Sequence, residues 1–361
     1  QRKTTWFYTI RMESVMVNIK KSVWRLAIML LAVWMSNNTY SADAYTAQYY
    51  ADKGLKSAKH FPGLASLCDI SQEPRNMFVI SENRRERSKH SNGDSEVKGN
   101  AKVRRQIPPQ QVLDNLYYVG AGNVASWAID TGESIVLVDA LNNNQQAQHY
   151  ILNGLSALGL GDKPISHLII SHGHGDHYGG FGLIKSVYSP RIVMSEIEWH
   201  VLENDAFASY RWGAKPEKDL LIEDGDVLNV NGAELAFYVT PGHTPGTLTI
   251  VLPVIDGDER HRAVLWGGTG LNYGPDVARI KSYTNSANAM KALVKEQNID
   301  VFLSNHPGRD GTRDKLKALT DRKDNQAHPF IQGEDVVVEA FELLENCTRA
   351  QWMQIEENRA Q

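Results

Sequence analysis

Ser171-His172-Gly173-His174-Gly175-Asp176-His177 is the stretch on which the reading of this chain turns. Three histidines and an aspartate fall between positions 172 and 177, separated only by glycine. Neutral imidazoles with one carboxylate suit a borderline-soft divalent cation, zinc first. The glycines at 173 and 175 would let the backbone turn tightly, so that alternate side chains converge on one point. Just upstream, Ile165 to Ile170 reads as a short apolar strand interrupted by His167. The picture is a strand that ends in a loop carrying ligands. A polar turn merely rich in histidine is the plain alternative, and the rest of the chain tests it.

Two later stretches repeat the strand-then-histidine arrangement. Leu235 to Val239 is apolar and runs into Thr240-Pro241-Gly242-His243-Thr244-Pro245-Gly246. Ile299 to Leu303 runs into Ser304-Asn305-His306-Pro307-Gly308. Alone, either histidine could be a satisfied loop residue; in this order behind the first cluster, both are candidate ligands. The H-x-H-x-D-H run followed by these two motifs resembles the signature of the metallo-β-lactamase superfamily. T-P-G-H-T-P-G matches one of its motifs closely.

The resemblance covers about Val112 to Glu345 and implies an α/β fold, an αββα sandwich with the metal site at one edge of the sheets. It implies two Zn2+ ions per chain. His172, His174 and His243 would hold the first; Asp176, His177 and His306 would hold the second. Three protein ligands per ion leave open positions for water, as catalytic sites require. Bound water then ionises near neutral pH and can attack a carbonyl-type bond. Asp176 would be the catalytic carboxylate, orienting that nucleophile and moving a proton to the leaving group.

Several features point to the third subclass of metallo-β-lactamases. The first site is all histidine, Val112 to Gly120 resembles that subclass's opening strand, and His328-Pro329-Phe330 resembles its chain end. In Leu265-Trp266-Gly267-Gly268-Thr269-Gly270, Thr269 stands where glyoxalases of the superfamily carry a bridging Asp. The first subclass has Cys there and the third usually has Ser. A threonine hydroxyl is a poor ligand unless deprotonated, so no protein bridge is expected. Gly270, Leu271, Asn272 and Tyr273 follow, where relatives grip the β-lactam carboxylate with Ser or Lys. Thr269 and Asn272 are the candidate substrate-binding residues, but neither brings charge. Arg279, Lys281, Arg309 and Arg313 are read as surface charges.

The first expectation is therefore a zinc hydrolase that opens β-lactam rings. The alternative is a hydrolase on the same scaffold acting on a lactone, thioester or phosphoester, because fold alone does not choose. Di-iron redox relatives usually carry Glu in place of an early histidine, which His174 argues against. An intact ligand set argues against a non-catalytic metal-binding module. The formal net charge of −4 gives no general pull toward nucleic acid, and a small-molecule substrate is expected instead.

Residues 1–44 read as upstream sequence plus a signal peptide. Met16 is followed by Lys20, Lys21 and Arg25, the apolar run Leu26 to Met35, and small residues at Ser41 to Ala44. That run is short for a bilayer span, so no stable membrane insertion is expected after cleavage and the location is periplasmic or secreted. Residues 45–110 are expected to be irregular, with Ser81 to Arg105 a charged, solvated loop; a basic docking surface is the sharper alternative. Residues 111–345 form the main domain and 346–361 a helical tail. The chain is long enough for one large α/β core. Its two cysteines, Cys68 and Cys347, could pair in an exported protein or remain free thiols. The oligomeric state is not readable.

Overall fold

Period-2 alternation places every buried strand between two apolar layers. In β4 (Ile135–Val138), Val136 and Val138 point to one core while Ile135 and Leu137 point to another. In β11 (Glu259–Trp266), Ala263 and Leu265 point inward, whereas Val264 and Trp266 point outward. A sheet apolar on both faces must be covered twice, here by a second sheet inside and helices outside. This is the αββα sandwich that the resemblance implies. The computed structural model describes residues 45–77, 107–204, 212, 214–323 and 325–361.

The first sheet has seven strands: β1 (Gln110–Leu113), β2 (Leu116–Tyr118), β3 (Trp127–Asp130), β4, β5 (Ile165–Ile169), β6 (Arg191–Ser195) and β7 (Leu220–Ile222), in that order. Pairing is antiparallel from β1 to β4 and parallel from β4 to β7. The second sheet contains β8 (Val227–Val230), β9 (Ala233–Val239), β10 (Leu248–Asp256), β11 and β12 (Val301–Ser304), ordered β12-β11-β10-β9-β8. Only β11 and β12 are parallel in that sheet. Val138, Ile169 and Val193 of the first sheet meet Phe237, Ile250 and Leu303 of the second in the central core.

Outside the first sheet, Leu137, Leu168 and Ile192 pack under Ile151, Leu155, Ile184 and Trp199. Outside the second, Trp266 and Phe302 pack under Tyr283 and Met290 of the helix Val277–Gln297 and Phe341 of the helix Glu334–Ala360.

Several expectations are corrected. Residues 45–110 are not wholly irregular: Ala47–Leu55 is a helix whose Ala51 joins the same outer core. Ser81 to Arg105 and the signal-peptide segment lie outside the described residues. The boundary at 345/346 falls inside one continuous helix, Glu334–Ala360, with Cys347, Ala350 and Ile355 buried on it. The helix packs through residue 355, and residues 356–361 are exposed. The helix Val277–Gln297 begins where Asp276 caps it by accepting from Arg279 N at 3.1 Å. Cys68 and Cys347 pair as a disulfide.

Candidate metal centre

The chain delivers its histidines from the ends of three strands at one edge of the sandwich. β5 ends before the Ser171 loop, β9 before the His243 loop and β12 before His306. Ser171 N donates to Asp139 Oδ1 at 2.8 Å, and Leu248 N donates to Ser171 O at 2.8 Å, so the first loop is fastened to both sheets. Neither Gly173 nor Gly175 takes a positive φ. The loop needs them for room: a Cβ on Gly173 would lie 3.0 Å from Glu198 Oε1. Glu198 is fully buried and accepts from Gly173 N at 2.7 Å and from Gly246 N at 2.8 Å. One carboxylate therefore fixes the spacing between the first histidine loop and the second.

The six residues expected to be ligands come together as two triads. His172, His174 and His243 form one, and Asp176, His177 and His306 the other, with ligand atoms in each within 4.8 Å of one another. In the first, His172 Nε2 and His174 Nδ1 are 3.0 Å apart, and His243 Nε2 is 3.0 and 3.1 Å from them. In the second, Asp176 Oδ2 lies 3.6 Å from His177 Nε2 and 4.0 Å from His306 Nε2.

Hydrogen bonding on the far side of each ring settles the tautomers. His243 Nδ1 donates to the Gly270 carbonyl at 2.6 Å, and His306 Nδ1 donates to the Asn123 carbonyl at 2.9 Å. His177 Nδ1 donates to Asp139 Oδ2 at 2.7 Å. His172 Nδ1 lies 3.2 Å from Ser171 Oγ, whose own proton goes to Asp139 Oδ2. In these four rings Nδ1 then holds the proton and Nε2 keeps its lone pair, the arrangement that partners behind metal-binding histidines enforce, whereas His174 turns Nδ1 toward its triad. His177 Nε2 is buried with no hydrogen-bond partner. A buried lone pair without a donor is costly unless a cation takes it. The donor set fits zinc: nitrogen and carboxylate oxygen, three groups per triad.

The charge state agrees. Burial pushes His172, His243 and His306 below the ordinary imidazole range, with neighbouring imidazoles adding to the effect. Burial likewise pushes His174 down to about 3, although Asp176 opposes it. For Asp176 burial favours the acid form, but His177, His306 and His174 outweigh it and hold the group below the usual carboxylate range. His177 is the exception: burial lowers it, yet Asp176 and Asp139 raise it overall.

Beside the triads opens a cavity of about 840 Å³. Asp176, His243 and His306 form its floor, and Thr269 and Asn272 line one wall. Thr269 is buried, and Asn272 Oδ1 is buried without a hydrogen-bond partner. Arg309 and Arg313 also line the cavity, which corrects their reading as surface charges. Arg279 is corrected too: it donates to the carbonyls of Gly242 and His243 and stacks 3.8 Å over the Tyr273 ring. Lys281 does reach the surface, pairing with Glu356 at 2.6 Å.

Sequence reading missed Asp139 and Glu198. The signal for Asp139 was present, a carboxylate ending the apolar run Val136 to Val138, and its φ of 62° marks a backbone held for its side chain. Glu198 gave no signal, since its partners are backbone amides 25 and 48 residues away. Gly63, Arg75 and Met77 were also missed as cavity lining. Met77 N donates to Asn272 O at 2.8 Å, which seats the N-terminal segment beside the site.

The described residues thus combine an αββα sandwich with two three-residue clusters that could hold metal at one sheet edge. Residues 119–254 match the family model described as Metallo-beta-lactamase superfamily. Among curated proteins it is similar to a lactamase-like protein, nscB, of Neosartorya fischeri, 30% identical over 172 residues, 46% of this chain and 44% of that one. A hydroxyacylglutathione hydrolase of Rhodopseudomonas palustris (strain BisB5) is 29% identical over 164 residues, 45% of this chain and 56% of its own. The chain spans about half the length of the curated relatives it matches first, 44 to 49%. Among solved structures, a mutant metallo-β-lactamase from Legionella gormanii aligns over 71% of this chain and 98% of its own, with a TM-score of 0.62 and 23% identity. A subclass B3 metallo-β-lactamase of Bradyrhizobium japonicum aligns over 71% and 98%, with a TM-score of 0.57 and 25% identity.

Proposed function

We propose that this protein is a zinc-dependent hydrolase of carbonyl-type bonds that binds two Zn2+ ions and acts on β-lactam rings. One observation carries the reading: two triads of metal-competent side chains face one cavity, with the histidine tautomers fixed from behind. Zinc bound there would supply Lewis acidity and an acidified water. The chain's own residues supply the rest. His172, His174 and His243 would hold one ion, and Asp176, His177 and His306 the other. Asp176, kept ionised by its imidazole neighbours, orients the attacking water and takes up a proton destined for the leaving group. Thr269 and Asn272 offer hydrogen bonds to the substrate, Asn272 through the buried oxygen that otherwise lacks a partner.

The paired Cys68 and Cys347 support an oxidising, exported location, periplasmic or secreted. Among the described residues, no helix is long and apolar enough to cross a membrane. The expected partner is a small molecule and not nucleic acid.

The second reading is hydrolysis of a lactone, thioester or phosphoester on the same site. It is favoured by one observation: no charged side chain lies in the stretch Thr269 to Tyr273, where β-lactamases grip the substrate carboxylate. Purified, zinc-loaded protein is expected to hydrolyse a chromogenic cephalosporin, and EDTA is expected to stop it. No turnover with zinc bound would remove the β-lactam assignment and leave the other esters to be assayed.

A further inference from the structure

The cavity carries positive charge that the stretch Thr269 to Tyr273 lacks. Its described lining contains three arginines, Arg75, Arg309 and Arg313, against one carboxylate, Asp176. Thr269, Leu271 and Asn272 line it without charge. Arg309 sits one turn beyond a candidate ligand: its N–H donates to the His306 carbonyl at 2.8 Å. Its Nη1 donates to Gly63 O at 3.1 Å and to Ser66 Oγ at 2.7 Å, so the N-terminal segment holds the guanidinium in place. That contact needs glycine, because a Cβ on Gly63 would lie 1.9 Å from the Gly308 carbonyl.

The acid next to Arg309 in the chain is directed elsewhere. Asp310, the next residue, is buried and accepts from Ser304 N at 2.9 Å, Thr312 N at 2.9 Å and Thr312 Oγ1 at 2.7 Å. Among the described residues, no carboxylate forms an ion pair with Arg309. Arg313, at the start of the helix Thr312–Thr320, is oriented by donating to the Gly122 carbonyl at 3.1 Å. A guanidinium has five donors in a planar fork, so an anchored arginine can still grip a carboxylate.

We propose that Arg309, with Arg313 beside it, binds a carboxylate on the substrate and so fixes which carbonyl faces Asp176 and His243. The substrate class is a hydrolysable carbonyl compound bearing a carboxylate next to the scissile bond. The proposal rests on the hydrolase reading for its meaning, but its test separates the two. The probes are a chromogenic cephalosporin as the free acid and as its methyl ester. Two quantities are read for each: kcat/KM with zinc-loaded protein, and Kd with EDTA-treated protein.

Wild type is expected to prefer the acid about tenfold or more in both quantities, as a charge-assisted hydrogen bond gives. Arg309→Ala is expected to erase most of that preference, with the loss in KM rather than kcat. Arg309→Lys keeps part of it, and 1 M salt reduces it in wild type, with a screening length of about 3 Å. Because Arg309→Ala also frees Gly63 and Ser66, Arg313→Ala is the second variant, expected to reduce the preference several-fold without disturbing that tie. If zinc-loaded protein turns over neither probe but the metal-free preference exists and falls in these variants, the anion site stands and the β-lactam reading fails. Equal affinity of wild type for acid and ester, or a preference that survives both alanine variants, overturns the inference.

Discussion

Asp139 illustrates how much of the site depends on one residue behind the ligands. Its carboxylate takes the Ser171 amide, the Ser171 hydroxyl and His177 Nδ1 at 2.7–2.9 Å. Asp139→Asn keeps the shape but can turn an N–H toward His177, moving that ring's proton to the nitrogen that faces Asp176. Zinc affinity of the second triad is expected to fall about 10- to 100-fold, as outer-shell substitutions do; isothermal titration checks this, and unchanged affinity would show that Asp139 is only structural. His243→Ala is expected to abolish turnover of the chromogenic cephalosporin while the far-ultraviolet circular dichroism stays native, since His243 sits on a loop outside the strands; full activity would remove it from the site. The six candidate ligands were legible because each sits in a local motif, at the end of an apolar run. Glu198 and Arg279 were not, because their partners are loops brought near only by the sandwich, and Asp139 left only the weak signal of a carboxylate ending an apolar run. Arg279 looks like a surface charge until Tyr273 and two carbonyls are placed around it.

At the scale of elements, the strands were read well and the helices less so. The inward–outward alternation of β4 and β11 is written locally, whereas the run Ser282-Tyr283-Thr284-Asn285-Ser286 inside Val277–Gln297 looks like a loop. Burial of Ile280, Tyr283 and Thr284 against the last helix overrides that weak propensity. The last helix, Glu334–Ala360, shows the same lesson at its end. Gln351 Nε2 donates to Leu67 O at 2.9 Å and Asp69 O at 2.6 Å, so the supposed tail closes over the N-terminal segment. Removing residues 346–361 is therefore expected to give an insoluble or strongly destabilised protein; an unchanged melting temperature would contradict this packing. Phe341, whose ring meets Trp266 at 5.4 Å and Phe302 at 5.6 Å, is a sharper probe. Phe341→Ala is expected to cost about 3–5 kcal/mol in chemical denaturation.

For the whole molecule, metal and fold are linked. The triads join loops from both sheets, so an ion that binds them binds only the folded chain. Its stabilisation grows as RT ln(1 + [Zn]/Kd), about 4 kcal/mol at a thousandfold excess over Kd. EDTA is expected to lower the melting temperature, and excess zinc to restore it; identical melting curves would separate the sandwich from the site. The central claim is that two ions sit in two separable triads. It is tested by the zinc content of protein equilibrated with excess metal and freed of loose ions, measured by mass spectrometry under native conditions. Wild type is expected to hold two zinc ions per chain, and Asp176→Ala to hold one. A wild type that holds one ion or none under these conditions would contradict the dinuclear site.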